Sequence, residues 1–142
     1  MRNLQDMLHA WLTGESQPPP VAQLVGIRLI DGQDGTAQLE LNTGRQHYNP
    51  MGIVHGGILC DLADAAMGVA LASAAQPGET FSTIELHMYF FRPVQEARLT
   101  AMGKTVRRGS STGYTECEIN DEQGRLVAKA SAVCFIQKAH SG

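Results

Sequence analysis

A helix that begins at a pair of glycines is the feature of this sequence best suited to chemistry. His55-Gly56-Gly57 precedes a long apolar segment, and no Ser, Thr, Asp or Asn stands at the expected N-cap. We therefore expect first-turn amides that no side chain satisfies, and glycine allows a ligand to approach them closely. Because the positive end of the helix dipole lies behind these amides, they suit a carbonyl oxygen that becomes an oxyanion.

Asp64 is the acid best placed to act with such amides. It lies two turns into a segment that is otherwise nearly all apolar, where an unpaired carboxylate is costly, and no Lys or Arg lies within one turn of it. We predict that Asp64 faces a cleft or a partner chain and is catalytic, rather than a carboxylate on the helix surface. Asp61 is the neighbouring acid, and we interpret it as a solvated or interface residue.

Five other polar residues have a structural as well as a functional interpretation. Asn49 precedes a proline, which is a common turn signal, and His55 taken alone is typical of a structural histidine. Thr83 is either an ordinary strand threonine or a hydroxyl of the site. Glu85 and His87 are expected on the same strand face as Thr83, as pocket residues or as polar interface residues.

Positive charge gathers near one predicted turn of this acidic chain. Arg107 and Arg108 precede the turn Gly109-Ser110-Ser111, and Arg92 ends the strand before. This local charge fits an anionic ligand, although a solvated basic turn is the alternative.

The remaining pattern predicts the elements that must position these residues. Apolar residues at helical spacing predict a short helix over residues 3–13, and a proline run at 18–20 separates it from one more helical turn. Alternating residues predict a β-hairpin around a turn at 31–35, and the long apolar helix is predicted over 57–75. Further strands are predicted over 81–92, 95–107, 112–120 and 126–137.

The order of these elements predicts the fold class. Hairpin spacings imply an antiparallel sheet, and a helix this apolar must be wrapped by other structure. We predict an α+β fold in which one long apolar helix packs against a sheet of about six strands. The domain is predicted over residues 21–138, after an N-terminal helix and Pro-rich spacer over 1–20.

Composition excludes several classes of protein. The chain has 142 residues, of which 43% are hydrophobic and 18% charged, so one domain with a real core is expected and disorder is not. A net charge of −3 argues against nucleic acid as the main partner. No apolar run is long enough to cross a membrane, and the first 20 residues do not resemble a secretory signal. Three cysteines without metal-ligand spacing favour a reduced, cytoplasmic location.

The stretch N-P-x-G-x-V-H-G-G carries a resemblance to a known family. Together with an acid eight residues after the first glycine of the pair, and a following strand that ends in Arg92-Pro93, it resembles the PaaI-type acyl-CoA thioesterases. These share the hotdog fold with the phenylacetyl-CoA and 4-hydroxybenzoyl-CoA thioesterases. The resemblance covers residues 20–137. It implies homodimers, often paired into homotetramers, with active sites at the subunit interface.

The resemblance also implies roles for three of the residues. Gly56 would supply the oxyanion-hole amide, and Asn49 would orient the water or the thioester. Asp64, from the opposite protomer, would be the general base or the nucleophile. The implied reaction is hydrolysis of a small, medium-chain or aryl acyl-CoA to free acid and coenzyme A, without a metal or a separate cofactor.

The supporting positions follow from the same resemblance. Thr83 matches a hydroxyl that helps to hold the water, with Ser82 as the alternative alignment, and His55 has a supporting role. Gly57 and Arg92 are expected at the substrate, and the segment 107–111 at the nucleotide end of coenzyme A.

Two other functions stay open at this point. One is an enoyl-thioester hydratase or dehydratase of the same fold, although such enzymes pair a histidine with the acid in a differently built loop. The other is an acyl-CoA-binding protein without catalysis.

Overall fold

The computed structural model describes residues 3–139. Two short helices come first, α1 (Leu4–Thr13) and α2 (Pro20–Val25), and the long helix α3 covers Gly56–Ala72. A single 3-10 turn (Arg45–His47) precedes α3. The six strands are β1 (Arg28–Gln33), β2 (Thr36–Asn42), β3 (Glu79–Phe90), β4 (Arg98–Arg108), β5 (Thr112–Asn120) and β6 (Leu126–Lys138).

The strands form one antiparallel sheet in the order β1-β2-β4-β5-β6-β3. β3 and β1 are therefore the two edge strands, although they are far apart in the chain. The sheet packs against α3, and this confirms the α+β hotdog fold with one central helix.

The central helix lies unusually close to the middle of the sheet because small residues meet there. Ala63, Ala66 and Ala70 of α3 are fully buried. A Cβ built on Gly103 of β4 would lie 2.5 Å from the carbonyl oxygen of Ala66, so only glycine allows the strand to pass at this point. Gly103 therefore allows the close packing of β4 on α3.

The N-terminal helix is docked on the domain. Its N-cap is Asn3, whose Oδ1 accepts a hydrogen bond from the Gln5 amide at 2.9 Å. Gln5 Nε2 in turn donates to the Ala75 carbonyl at 2.7 Å, beyond the end of α3. Leu8 is buried in the main core, where Gly32 of β1 leaves room for it beside Val69.

The first hairpin turns later than the sequence pattern predicted. Asp34 and Gly35 both adopt left-handed backbone conformations, with φ of 52° and 83°, as a tight two-residue turn requires. Residues 31–33 therefore belong to β1. The long helix also ends earlier than predicted, at Ala72, because the Ser73 side chain donates to the Ala70 carbonyl and accepts from the Gly35 amide.

A β-bulge in β3 corrects the predicted faces of this strand. Thr83 pairs with Cys134 and Glu85 pairs with Val133, which leaves Ile84 as the extra residue. Thr83 points towards α3, whereas Glu85 and His87 lie on the outer face of the sheet. The prediction that the three share one face was wrong, because one inserted residue reverses the alternation.

Candidate active site

Asp64 and Thr83 form the centre of the candidate site. The Thr83 hydroxyl donates a hydrogen bond to Asp64 Oδ1 at 3.0 Å, across the gap between α3 and the edge strand β3. Thr83 Oγ1 is also 3.7 Å from Cys134 Sγ. Asp64 Oδ2 has no protein partner among residues 3–139. One carboxylate oxygen is therefore fixed, and the other is available to water or to a carbonyl carbon.

Asp64 is half-buried, and no Lys or Arg of the described residues forms an ion pair with it. Asp61, one turn earlier, lies at the same cleft and is exposed. The protein surrounding its carboxyl group partly desolvates it, and this desolvation first, followed by the charge of Asp64, raises the pKa of Asp61. The structure thus places both acids on one face of α3, with Asp64 as the one that has a hydroxyl partner.

The start of α3 differs from the prediction in one respect. His55 is the N-cap, and its Nδ1 accepts a hydrogen bond from the Gly57 amide at 2.8 Å. The expectation that no side chain caps the helix was therefore wrong, since a ring nitrogen can replace the usual oxygen. The Gly57 amide, predicted to meet substrate, is occupied by this bond.

The Gly56 amide is the donor that remains. The next amide, of Ile58, bonds to the His55 carbonyl at 3.0 Å, whereas Gly56 N–H has no acceptor among residues 3–139. A Cβ on Gly56 would lie 3.1 Å from Cζ of Phe90, so the exposed ring at the end of β3 lies against this glycine. The geometry leaves one free amide, at the positive end of the helix dipole.

The loop before α3 is held by Asn49 and His47. Asn49 Oδ1 accepts from the Met51 amide at 2.9 Å and from the Ile53 amide at 3.3 Å, so the carbonyl end of this side chain builds the turn. Its NH₂ group has no acceptor among the described residues. His47, which sequence reasoning missed, is buried, with Nε2 at 2.8 Å from the Val25 carbonyl, and its own carbonyl accepts from the His55 amide.

Gly56 and Asp64 do not meet within one protomer. They lie eight residues apart on the same helix, and each residue rises 1.5 Å, so about 12 Å separates them along its axis. A carbonyl oxygen bound to Gly56 N–H therefore lies too far from Asp64 of the same chain for attack on its carbon.

One arginine of the predicted phosphate site has a structural partner instead. Arg108 forms an ion pair with Glu79, which is buried at the start of β3. Burial alone would raise the pKa of Glu79, but the hydrogen bond from the Gln76 amide and the Arg108 guanidinium outweigh it and hold the pKa below its usual value. Because a buried carboxylate needs a partner of opposite charge, Glu79 holds Arg108 in place, and phosphate binding by Arg108 stays a prediction.

The other basic and turn residues lie at two different places. Arg107, Ser110 and Ser111 are exposed at the β4–β5 turn, and Gly113 just after it contacts Leu71 near the C-terminal end of α3. Arg92 is exposed two residues after Phe90, near the N-terminal end of the same helix. One protomer therefore does not bring Arg92 and the turn together.

The three cysteines form no disulfide, and Cys117 and Cys134 are buried whereas Cys60 is half-buried. Desolvation raises the pKa of Cys60 and of Cys134, and it raises that of Cys117 to about 12. A thiolate nucleophile is therefore disfavoured. Within residues 3–139, no three His, Cys, Asp or Glu side chains converge as metal ligands would. No helix in that range is both long and apolar enough to cross a membrane.

A large apolar cleft adjoins Asp64. It lies between the N-terminal helices and the exposed face of α3, and its volume is about 670 Å³. Met7 and Trp11 of α1 line one wall, and Ala65 and Gly68 of α3 line the other. Sequence reasoning found the helical spacing of α1 but not this cleft, because spacing alone does not say what an apolar face contacts.

Comparisons with known proteins agree with this geometry. A 1,4-dihydroxy-2-naphthoyl-CoA hydrolase of Listeria monocytogenes is 25% identical over 82% of this chain and 94% of its own length. The medium/long-chain acyl-CoA thioesterase YigI of Salmonella typhimurium is 26% identical over 82% of this chain and 85% of its own. A putative thioesterase of Ralstonia eutropha, related to phenylacetic acid degradation, superposes with a TM-score of 0.82 at 28% identity, covering 90% of this chain and 98% of its own.

A six-stranded antiparallel sheet wrapped around one long helix is the hotdog fold, and the relatives named here are thioester hydrolases. The family model of the thioesterase superfamily matches residues 51–128, which include all of α3 and the complete strands β3, β4 and β5. The chain belongs to this superfamily.

Proposed function

We propose that the chain hydrolyses acyl-CoA thioesters as a homodimer. Each active site would combine Asp64 and Thr83 of one protomer with the partner subunit's Gly56. The observation that carries this proposal is the free Gly56 amide, which lies about 12 Å along the helix from the acid of its own chain. The acyl-CoA hydrolases among the relatives support the substrate class.

The proposed reaction begins when the thioester oxygen accepts the Gly56 N–H hydrogen bond. Asp64 then takes a proton from a water that attacks the carbonyl carbon, or attacks that carbon itself to form an anhydride that water opens. In both routes the C–S bond breaks, its electron pair leaves with the coenzyme A thiolate, and the free acid remains. An oxyanion donor supplies about 3 kcal/mol and general-base assistance roughly 10²–10⁴-fold in rate. Coenzyme A takes part only as a portion of the substrate.

The edge strand supports the proposed dimer. β3 is 12 residues long, and its outward edge has no neighbouring strand in the described part of the chain. Ile84 is 63% exposed at the bulge, directly after Thr83. A long exposed edge with apolar residues favours pairing with a second copy. A tetramer would in addition cover exposed apolar residues of the outer sheet face such as Met102 and Tyr114.

Arg92 and Arg107 are the candidates for the phosphates of coenzyme A. Both are exposed and neither forms an ion pair within residues 3–139, unlike Arg108. The β4–β5 turn with Ser110 and Ser111 adds exposed hydroxyls beside Arg107. The unpaired cysteines support a reducing, cytoplasmic location for this reaction.

Thiol release from a panel of acyl-CoAs tests the proposal. The wild-type protein should release free coenzyme A, and Asp64→Asn and Asp64→Ala should abolish the release. Glu85→Gln is the matched control, because Glu85 is a carboxylate on the outer face of β3 and should be dispensable. Water addition to an enoyl-CoA without thiol release would favour a hydratase, and saturable binding without turnover would favour a binding protein. Either result would overturn the proposal.

A further inference from the structure

The cleft between the N-terminal helices and α3 is an open groove, and Asp64 of the candidate site is one of its lining residues. Asp61 and Asp64 lie at one end of the α3 wall, and Ala72 lies at the other. Apart from Ser16, Gln17 and the two aspartates, the lining is apolar. A mostly apolar cavity with polar groups at one end is typical of a site for a ligand with a long apolar part and a polar reactive end.

Small residues make up half of the α3 wall of this cleft. They are Ala65, Gly68 and Ala72, beside Val69 and the two aspartates, and a Cβ on Gly68 would already lie 3.6 Å from the Phe81 ring. The opposite wall is fixed, because α1 is bonded through Gln5 to Ala75. Larger side chains at these positions of α3 would fill the cleft. The small residues therefore leave it a volume of about 670 Å³.

Large side chains of α1 face this space without filling it. Met7 is 49% exposed although it lines the cleft, and Trp11 is half-buried there. Leu12, also on α1, is 37% exposed but lies outside the cleft. Exposed apolar surface of this kind, continuous with the acid of the site, indicates a bound apolar group rather than solvent.

The length of the cleft indicates the size of that group. From Asp64 to Ala72 the helix advances eight residues, or about 12 Å. An extended carbon chain advances about 1.2 Å per bond, as the polypeptide backbone does, so the cleft matches about ten carbons.

We propose that this cleft binds the acyl group of the substrate as an extended, straight chain of medium length, with Met7 and Trp11 as specificity-determining residues. The inference rests on the proposed thioesterase function, since it takes Asp64 as the end at which the thioester reacts. It gives the N-terminal helix a function in substrate selection.

Trp11 provides a direct probe of the cleft, because it is the single tryptophan of the chain. Decanoate added to the wild-type protein, and decanoyl-CoA added to Asp64→Asn, should each shift the Trp11 emission to shorter wavelength in a saturable manner. Butyrate and free coenzyme A at the same concentrations should not. If the Trp11 emission changed with protein concentration but not with decanoate, a second copy of the chain would occupy the cleft. That result would overturn the inference.

Kinetics with a matched pair of variants complete the test. Met7→Ala should lower kcat/KM for decanoyl-CoA about tenfold and leave butyryl-CoA within about twofold, whereas Leu12→Ala should change neither. Thiol release that is independent of chain length, without a Trp11 response, would overturn the inference and leave the proposed function standing. A Trp11 response to decanoate without hydrolysis of any acyl-CoA would overturn the proposed function and leave the cleft as a binding site.

Discussion

The Thr83 hydroxyl lies 3.0 Å from Asp64 Oδ1 and donates its hydrogen to that carboxylate. This bond crosses from the edge strand to the central helix, so it fixes the orientation of the acid relative to the sheet edge. The bulge at Ile84 directly follows Thr83 and is what allows the strand to present this hydroxyl and then continue with the opposite alternation.

Removing the Thr83 hydroxyl should therefore affect catalysis more than folding. We expect Thr83→Val, which keeps the shape of the side chain, to lower kcat about tenfold or more because Asp64 loses its orientation. Thr83→Ser retains the donor and should restore most of the rate. Steady-state kinetics and thermal unfolding of the two variants check this. If Thr83→Val had the same kcat as Thr83→Ser, the hydroxyl would not position the acid.

The Gly56 amide can be deleted with little change to the helix, because Gly56 is the first residue of α3 and proline is favoured there. Gly56→Pro removes the N–H and should lower kcat about 10²–10³-fold. Gly56→Ala keeps the N–H and brings a Cβ against the same Phe90 ring, so it controls for the steric effect. A Gly56→Pro enzyme as active as Gly56→Ala would remove this amide from the mechanism.

Mixed dimers should reveal sites shared between protomers. Asp64→Asn and Gly56→Pro are each expected to be inactive. In a mixed dimer, however, the Gly56→Pro chain supplies Asp64 and the Asp64→Asn chain supplies the Gly56 amide, so one of the two sites is complete. Random pairing gives half mixed dimers, so co-expression should restore about one quarter of the wild-type rate. Thiol release by the unseparated co-expressed protein measures this, and mixed dimers purified through two different tags should reach about one half of the wild-type rate. If each chain carried a complete site, the mixed dimers would be as inactive as the parents.

The Glu79–Arg108 pair should make stability depend on pH. The folded-state pKa of Glu79 lies below its unfolded value, so its contribution to stability is full above about pH 5 and decreases as the pH falls through the folded-state pKa. Glu79→Gln should therefore lose less free energy of unfolding between pH 7 and pH 4 than the wild type does. Urea titrations at the two pH values measure the difference. A loss as large in the variant as in the wild type would contradict the assignment.

Gly68→Ala should stabilise the fold and at the same time lower the activity towards long acyl chains. The new methyl group would meet the Phe81 ring at an ordinary contact distance of 3.6 Å, and alanine should stabilise the helix interior by about 0.5–1 kcal/mol. The same methyl group narrows the cleft, so kcat/KM for decanoyl-CoA should fall relative to butyryl-CoA. Chemical denaturation and the two substrates together provide the check, and an unchanged ratio of rates would count against a chain in this cleft.

Much of the fold could be predicted because its signals are local. The apolar run after Gly57 predicted the central helix, and the alternation over residues 112–120 gave β5 with the observed bounds. The stretch from Asn49 to Gly57, together with Asp64 eight residues after Gly56, carried the family resemblance, which the match over 51–128 confirms. Errors arose where one extra residue reverses the strand alternation, as Ile84 does in β3, and where an unusual side chain caps a helix, as His55 does in α3.

The sequence by itself determined which groups are available for chemistry: the glycines at the helix start, the acid two turns later and a hydroxyl on the following strand. Only the tertiary structure decided which of them remain free, since His55 occupies the Gly57 amide and leaves that of Gly56. It also decided that an apolar cleft adjoins Asp64, through the docking of α1 on α3. The physical reason is that residue types and periodicity follow from neighbours in the chain, whereas a hydrogen-bond partner or an open volume depends on elements that only folding brings together.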